Sequence, residues 1–321
     1  MLICFHRSIS MVHARAFSFT DDSTSVALPS MSAPLHASDP LNSLTGPHSM
    51  ETSHLLFQLR RAQSSWYQEL FQSSRAPLPQ TSNYVWQMCQ EMREWSESFP
   101  DSLPLAFKDF FDLELLYSYV YCLAPSCRVR IVPDYGKNLI FEYCIAYMQK
   151  IFPISKDPIN TAFYTFHDAL RVYFIGSQLM AVLSQNQDQL LKGSLSLYAS
   201  VNAGSPSPPP LPGTSGGDNV DRSINCINHI KETLRTFGER WEDSKALQSS
   251  FEHQAESLLA LLQQRRLQGQ ERPPTNRSPN YLQQQQTSYD NMGSLLAGEW
   301  NNMNSMFTNP DVIQQSSAPG S

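Results

Sequence analysis

The only sequence motif with an enzymatic meaning is the string GTSGG at residues 213–217, which fits the G-x-S-x-G pattern of serine hydrolases. That pattern works where a strand-to-helix turn exposes the serine above a sheet, beside an oxyanion hole. Here the string lies in a segment rich in Pro and Gly, with no predicted strand before it. We interpret it as a chance match and predict no catalytic residue.

Metal-ligand patterns are equally weak. No two of the eight histidines lie within four residues of each other, and the six cysteines form no C-x-x-C pair. His167 and Asp168 are adjacent, so on a helix their side chains point about 100° apart. The nucleotide-binding patterns G-x-G-x-x-G and G-x-x-x-x-G-K-[ST] are absent from the sequence. The sequence therefore predicts no metal, no cofactor and no enzymatic activity.

Composition and charge narrow the class of protein further. The 321 residues include 23 Lys and Arg against 29 Asp and Glu, giving a formal net charge of −6. A chain of this charge lacks the general attraction to phosphate that DNA-binding proteins use, so we expect DNA contact only through a partner. No run of about 18 uncharged apolar residues indicates a membrane span.

The N-terminal residues 1–52 are predicted to be a disordered arm, because their later part is rich in Ser and Pro and has little to bury. Within the first twenty residues, Arg7 and Arg15 occur with no acid before Asp21. That composition loosely resembles a mitochondrial transit peptide, which leaves a mitochondrial helical enzyme as one alternative.

Helical periodicity begins at Ser53, and no alternation of period two survives beyond a few residues. Short Pro-containing loops separate the apolar runs, which favours one all-α, bundle-like regulatory domain over residues 53–192. The five predicted helical runs cover 53–75, 84–100, Phe107 to Leu123, Leu139–Phe152 and Asn160–Leu183.

Residues 193–220 combine Ser, Pro and Gly with a single charge, Asp218, and are predicted to be a mobile linker. Their proline spacing would also suit an SH3- or WW-type partner. Amphipathic helical periodicity returns over 221–266, and its apolar stripe must be covered. We expect this segment to pack back on the preceding domain; pairing with another helix, including that of a second copy of the chain, is the alternative.

The tail, residues 267–321, is polar and of low complexity, and we predict that it is disordered. Between Ser288 and Phe307 it carries apolar and aromatic side chains with only two charges, Asp290 and Glu299. This composition is typical of activation segments that fold as short helices into a partner's groove. The predicted partner-binding residues are Leu295, Leu296, Trp300, Met303 and Phe307.

Four segments, taken in order, carry a resemblance to a known family. They are SHLLFQLRRAQSSWYQELFQSSR at 53–75, YVWQMCQEMREWSESFP at 84–100, FFDLELLYSYVYCLAPSCR at 110–128 and IKETLRTFGERWEDSKALQSSFE at 230–252. Their aromatic and leucine placement resembles the C-terminal part of the middle regulatory region of fungal Zn(II)2Cys6 transcription factors. The resemblance implies an activator portion that works in the nucleus with coactivators or other transcription proteins.

The chain departs from that family at its start. Members normally begin with a basic, zinc-holding cysteine cluster that places a helix in the major groove. Here Cys4 is the only cysteine among the first eighty residues, so the family's zinc has no ligands in this sequence. Either the cluster is encoded upstream of Met1, or the protein reaches a promoter through a partner. A helical protein-interaction module with no transcriptional role is the alternative function.

Overall fold

A computed structural model describes residues 2–18, 48–73, 76–157, 165–193, 195, 206–212 and 217–270. Every regular element within those ranges is a helix, which confirms the all-α fold class. The helices are α1 Leu2–Val12, α2 His48–Tyr67 with a π-helical continuation Gln68–Gln72, α3 Thr81–Glu97, α4 Leu105–Leu123, α5 Asp134–Lys156, α6 Phe166–Leu191, α7 Asn219–Gly238 and α8 Glu242–Gln270.

The chain divides into two compact units, with the boundary between Val132 and Pro133. The sequence predicts a single domain over 53–192, and this prediction is corrected by the structure. The reason is that α5 and α6 bury their apolar faces against α7 and α8, so that these four helices make a core of their own.

In the first unit, α2 contacts α1, α3 and α4 and supplies the fully buried side chain of Trp66. The rings of Trp66 and Tyr121 lie 5.6 Å apart, and Phe71 meets Tyr121 edge-on at 4.8 Å. Nearer the start of α2, the Leu55 carbonyl accepts a hydrogen bond of 2.8 Å from the indole of Trp95 in α3. Aromatic side chains therefore join α2 to both of the helices that follow it.

Helix α1 is a departure from the predicted disordered arm, since residues 2–12 and 48–52 are helical. Met11 is 2% exposed, and its carbonyl accepts a hydrogen bond from the Tyr121 hydroxyl at 3.2 Å. The Tyr67 hydroxyl donates to the Arg15 carbonyl just beyond the helix. Contacts with tyrosines distant in sequence thus stabilise a short helix whose own composition gives little sign of it. Residues 19–47 lie outside the described ranges.

The second unit is an up-down-up-down bundle of α5 to α8. Hydrogen bonds join Lys137 to Asn186 and the Cys144 thiol to the Ile175 carbonyl, so α5 and α6 are antiparallel. Helices α7 and α8 form a hairpin around the short turn at 239–241. Helices α6 and α7 each contact the other three, and between them they hold the centre of the core.

The closest approach in this bundle is at Gly176 of α6. A Cβ atom built there would lie 2.6 Å from Cε2 of Phe251 and 3.2 Å from Cγ2 of Ile230. Both of those side chains are fully buried. The missing side chain therefore allows α7 and α8 to pack directly on the backbone of α6.

Two local features differ from the sequence prediction. Helix α5 continues through Pro153 to Lys156, although Pro153 was expected to end it; a proline in the final turn costs the helix only one backbone hydrogen bond. In the predicted mobile linker, the Pro210 carbonyl accepts a 2.8 Å hydrogen bond from the Tyr143 hydroxyl, so this part packs on α5.

We expect Met11→Ala to lower the free energy of unfolding by about 2–3 kcal/mol, because it removes a buried side chain from the contact of α1 with the first unit. Urea denaturation of the full chain, followed by tryptophan fluorescence, measures this. Ile9→Ala is the matched control, since Ile9 lies on the same helix but is 41% exposed, and we expect a change within about 0.5 kcal/mol. Equal effects from the two variants would contradict the packing of α1.

Candidate functional site

The partner-binding residues predicted from the sequence, which are Leu295, Leu296, Trp300, Met303 and Phe307, lie outside the described residues. Their role stays a prediction. Most of the G-x-S-x-G match, residues 213–216, is outside them as well. The side chains that can be assessed for a chemical role are therefore those of the two helical units.

The described ranges contain no group of three His, Cys, Asp or Glu side chains that could hold a metal ion. All six cysteines are free thiols, and only Cys127 is exposed. Burial raises the pKa of Cys226 to about 12 and raises the pKa of Cys144 well above its usual value. Both thiols are therefore protonated at neutral pH, which makes them poor nucleophiles.

His229 of α7 stacks on Phe152 of α5, with ring centroids 4.0 Å apart and planes 8° from parallel. Partial burial lowers the pKa of His229. Partial burial at a different place, the start of α6, also lowers the pKa of His167. A neutral imidazole packed flat on a phenyl ring contributes to the contact between helices. Sequence analysis had no means to find this pair, because the two residues are far apart in the chain.

The first unit contains a buried ion pair between α2 and α4. Arg60 Nη1 donates to Glu114 Oε2 at 2.7 Å and to Gln63 Oε1 at 2.6 Å. Gln63 in turn donates to the Ser118 hydroxyl at 2.7 Å. The ion pair is almost completely removed from water, with side-chain exposures of 6% and 2%. The opposite charges of Arg60 and Glu114 neutralise each other. The hydrogen-bond network around them fixes α2 against α4.

The second unit has an equivalent pair between α5 and α7. Arg222 donates to both carboxylate oxygens of Glu142, at 2.9 and 2.5 Å, and to Asn219 Oδ1 at 2.7 Å. The Arg222 guanidinium also lies 5.6 Å from the centre of the Phe141 ring. This fork-to-fork geometry sets the position of α7 along α5. Glu142 is the only acid in the predicted run Leu139–Phe152, which was a sequence sign of the second pair. The run Phe107 to Leu123 contains three acids, Asp109, Asp112 and Glu114, so the sequence did not single out Glu114.

A groove of about 270 Å³ lies between α6 and α8 in the second unit. Its α6 wall is formed by Ser184 and Gln187. The α8 wall consists of Ser257, Leu258, Ala260, Leu261 and Gln264. An Asp188–Arg265 ion pair of 2.7 Å links the two helices one residue beyond the polar lining. The lining offers neutral hydrogen-bonding groups beside apolar side chains, and no charge.

Helix α6 is kinked within this groove. Asn186 has non-helical backbone angles of φ −134° and ψ 30°, and its amide donates to the Val182 carbonyl at 3.4 Å. Lys137 of α5 donates to Asn186 Oδ1 at 3.1 Å and so holds the side chain in place. A side chain bonded to the carbonyl four residues earlier is an established cause of a kink. The kinked residue, Asn186, lies between Ser184 and Gln187 along the helix.

No family model, curated protein or solved structure matches the chain. None of the described helices is sufficiently long and apolar to span a bilayer.

We expect Glu114→Leu to lower the free energy of unfolding by about 3–5 kcal/mol, because it leaves the buried Arg60 charge without its partner. The double variant Arg60→Met with Glu114→Leu should recover most of that loss. Chemical denaturation of the full chain measures both.

The matched control for this pair is Glu242→Ala, which removes an exposed ion pair with Lys245. It should change the free energy of unfolding by less than about 0.5 kcal/mol. A Glu114→Leu variant as stable as that control would contradict the buried ion pair between Arg60 and Glu114.

A second prediction concerns pH. Because folding lowers the pKa of His229 below its usual 6.5, the unfolded chain binds the proton more tightly. Stability is fully present above pH 6.5 and falls as the pH drops below that value towards the folded pKa. His229→Phe, which keeps a ring against Phe152, should reduce the fall in the free energy of unfolding between pH 7.5 and 5.5. An unchanged pH profile, matching that of the exposed control His253→Phe, would contradict the partly buried, neutral state of His229.

Proposed function

We propose that the chain is the regulatory and activation portion of a transcription regulator, acting in the nucleus without DNA binding of its own. Two sequence observations support this: the four segments that resemble the fungal Zn(II)2Cys6 middle region, and the aromatic, weakly acidic tail. In this proposal the helical units are the body from which the tail, beginning beyond Gln270, reaches a partner.

The observation that carries the proposal is the burial of the 221–266 stripe within the second unit. Trp241, in the turn between α7 and α8, is partly exposed, whereas the other apolar side chains of the stripe are at most 6% exposed. These are Ile227, Ile230, Leu234, Phe237, Leu247, Phe251, Leu258 and Leu262. An apolar stripe already covered by α5 and α6 is not available as a helix-pairing surface. Partner binding then falls to the tail, where Trp300 and Phe307 are the largest apolar side chains of the predicted segment.

Specific contacts count against the two alternative functions, a protein-interaction module and a mitochondrial enzyme. A protein-interaction module or homodimer that pairs through the 221–266 stripe would have to expose the side chains that form the core of the bundle. A mitochondrial enzyme would require the first residues to act as a removable presequence. Instead, Cys4 and Met11 of α1 are buried, and α1 packs on α2.

The proposed partner is a coactivator or another transcription protein with an apolar groove. Trp300, Met303 and Phe307 have the spacing of one face of a short helix, and Leu296 lies one turn before Trp300. Aromatic anchors of this kind supply most of the energy of small interfaces. Because the sequence contains no zinc-cluster ligands, contact with DNA would come through the partner or through a cluster encoded upstream of Met1.

The test is a reporter assay with residues 275–321 fused to a foreign DNA-binding domain. We expect activation of the reporter, and we expect Trp300→Ala with Phe307→Ala to abolish it, because the two anchors of the helix face are lost. The neighbouring substitutions Asn301→Ala with Asn302→Ala are the matched control and should keep the activity. Immunoblotting must show equal levels of the three fusions. An inactive intact fusion, or activity that survives loss of both aromatic residues, would contradict the proposal.

A further inference from the structure

Residues 206–212 of the predicted linker have the sequence PSPPPLP and belong to none of the helices. Each residue of this proline segment either is a proline or directly precedes one. Proline fixes its own φ at about −65°, and the residue before a proline is restricted to extended conformations. Local sterics therefore favour a polyproline II helix over the proline segment.

Burial along the proline segment has the three-residue period of such a helix. The inner ridge contains the buried Pro209, with Pro206 and Pro212 partly buried on either side of it. The outer ridge is exposed and consists of Ser207 and Pro210. The remaining side ridge is partly buried and consists of Pro208 and Leu211. The proline segment therefore turns one ridge towards the protein and leaves the other two at least partly accessible.

A hydrogen bond from α5 holds the backbone of the proline segment in place. The hydroxyl of Tyr143, a residue that is 4% exposed, donates to the Pro210 carbonyl at 2.8 Å. A polyproline II helix makes no hydrogen bonds within itself, so this bond from α5 limits its movement. A ligand that is already held in its bound conformation loses less conformational entropy on binding. The proline segment is thus preorganised for a partner.

The chemistry of the proline segment selects one kind of partner. Residues 193–217 carry no charged side chain, so recognition must rest on apolar contact. Aromatic-lined grooves, such as those of WW and SH3 domains, bind proline-rich polyproline II segments. SH3 grooves are commonly flanked by acidic side chains that pair with a basic residue beside the prolines, and residues 193–217 contain no such residue. The uncharged segment therefore fits a WW-type groove better.

From these observations we propose that the proline segment is a docking site for a WW-type domain. The face between the outer and side ridges enters the aromatic groove, where Pro208, Pro210 and Leu211 make the contacts. The inner ridge stays on the protein, because a groove can contact only two of the three ridges at once. This docking site is separate from the tail and does not depend on the transcriptional function proposed above.

The test is a titration of the full chain with a purified WW domain that binds Pro-Pro-Leu-Pro peptides, measured by isothermal calorimetry. We expect saturable binding with a dissociation constant on the order of 100 μM, as suits a small and transient contact. Two control domains identify the groove. The same WW domain with its groove tryptophan replaced by alanine, and an SH3 domain that requires a basic residue beside the prolines, should each bind at least about tenfold more weakly.

Two double variants with an equal loss of prolines locate the contact face. Pro208→Ala with Pro210→Ala removes apolar contacts of the side and outer ridges and should weaken binding about tenfold. Pro206→Ala with Pro212→Ala removes two prolines from the inner ridge. It should change the affinity by less than about threefold, since these residues face away from the groove. Because both variants free the backbone at two positions, a difference between them reports the contact face.

The proposal is overturned if the intact chain does not bind the WW domain, if either control domain binds as tightly, or if the two double variants lose affinity equally. Thermal unfolding must show that each variant keeps the fold of the intact chain. Leu211→Ala, which leaves every proline in place, replaces a contact-face variant that does not fold, and the expected result is again weaker binding.

Discussion

The second unit depends on the absence of a side chain at Gly176. With Phe251 placed 2.6 Å from the position a Cβ would occupy, any larger residue would separate α8 from α6. That close contact brings Phe251 and Ile230 into one buried layer and allows the α7–α8 hairpin to cover its apolar stripe within the chain. The same contact fixes α6 and α8 side by side about three turns before the kink at Asn186. The groove lies beside that kink, next to the Asp188–Arg265 ion pair that links the two helices.

In the described part of each unit, a buried ion pair joins two of the helices. Arg60 with Glu114 joins α2 to α4, and Arg222 with Glu142 joins α5 to α7. Packing of apolar side chains tolerates small shifts along a helix axis, whereas a buried guanidinium must meet its carboxylate at hydrogen-bond distance. The two pairs therefore specify the relative positions of the helices more than they add to net stability.

In the proposed regulator, the helical units and the aromatic tail have separate roles. In the second unit the apolar side chains of α7 and α8 are mostly buried in the core. The surface of this unit therefore offers a partner few large apolar side chains. Leu267, near the end of α8, is an exception at 58% exposed, and it leads towards the tail.

How much of this the sequence could predict depends on the range of the interactions. Helix type and most helix limits were predictable, because the periodicity of apolar residues and the flanking prolines, such as those before α4 and α5, act over a few residues. The covering of the 221–266 stripe followed from the need to bury it. Helix α1, the division at Pro133, the His229–Phe152 stack and the kink at Asn186 were not predictable, because each depends on partners distant along the chain. By itself, then, the sequence determined that the protein is helical and the approximate positions of most of its helices. Only the tertiary structure decided the exact helix ends, which helices share a core and where a groove opens, since those depend on contacts that local patterns do not encode.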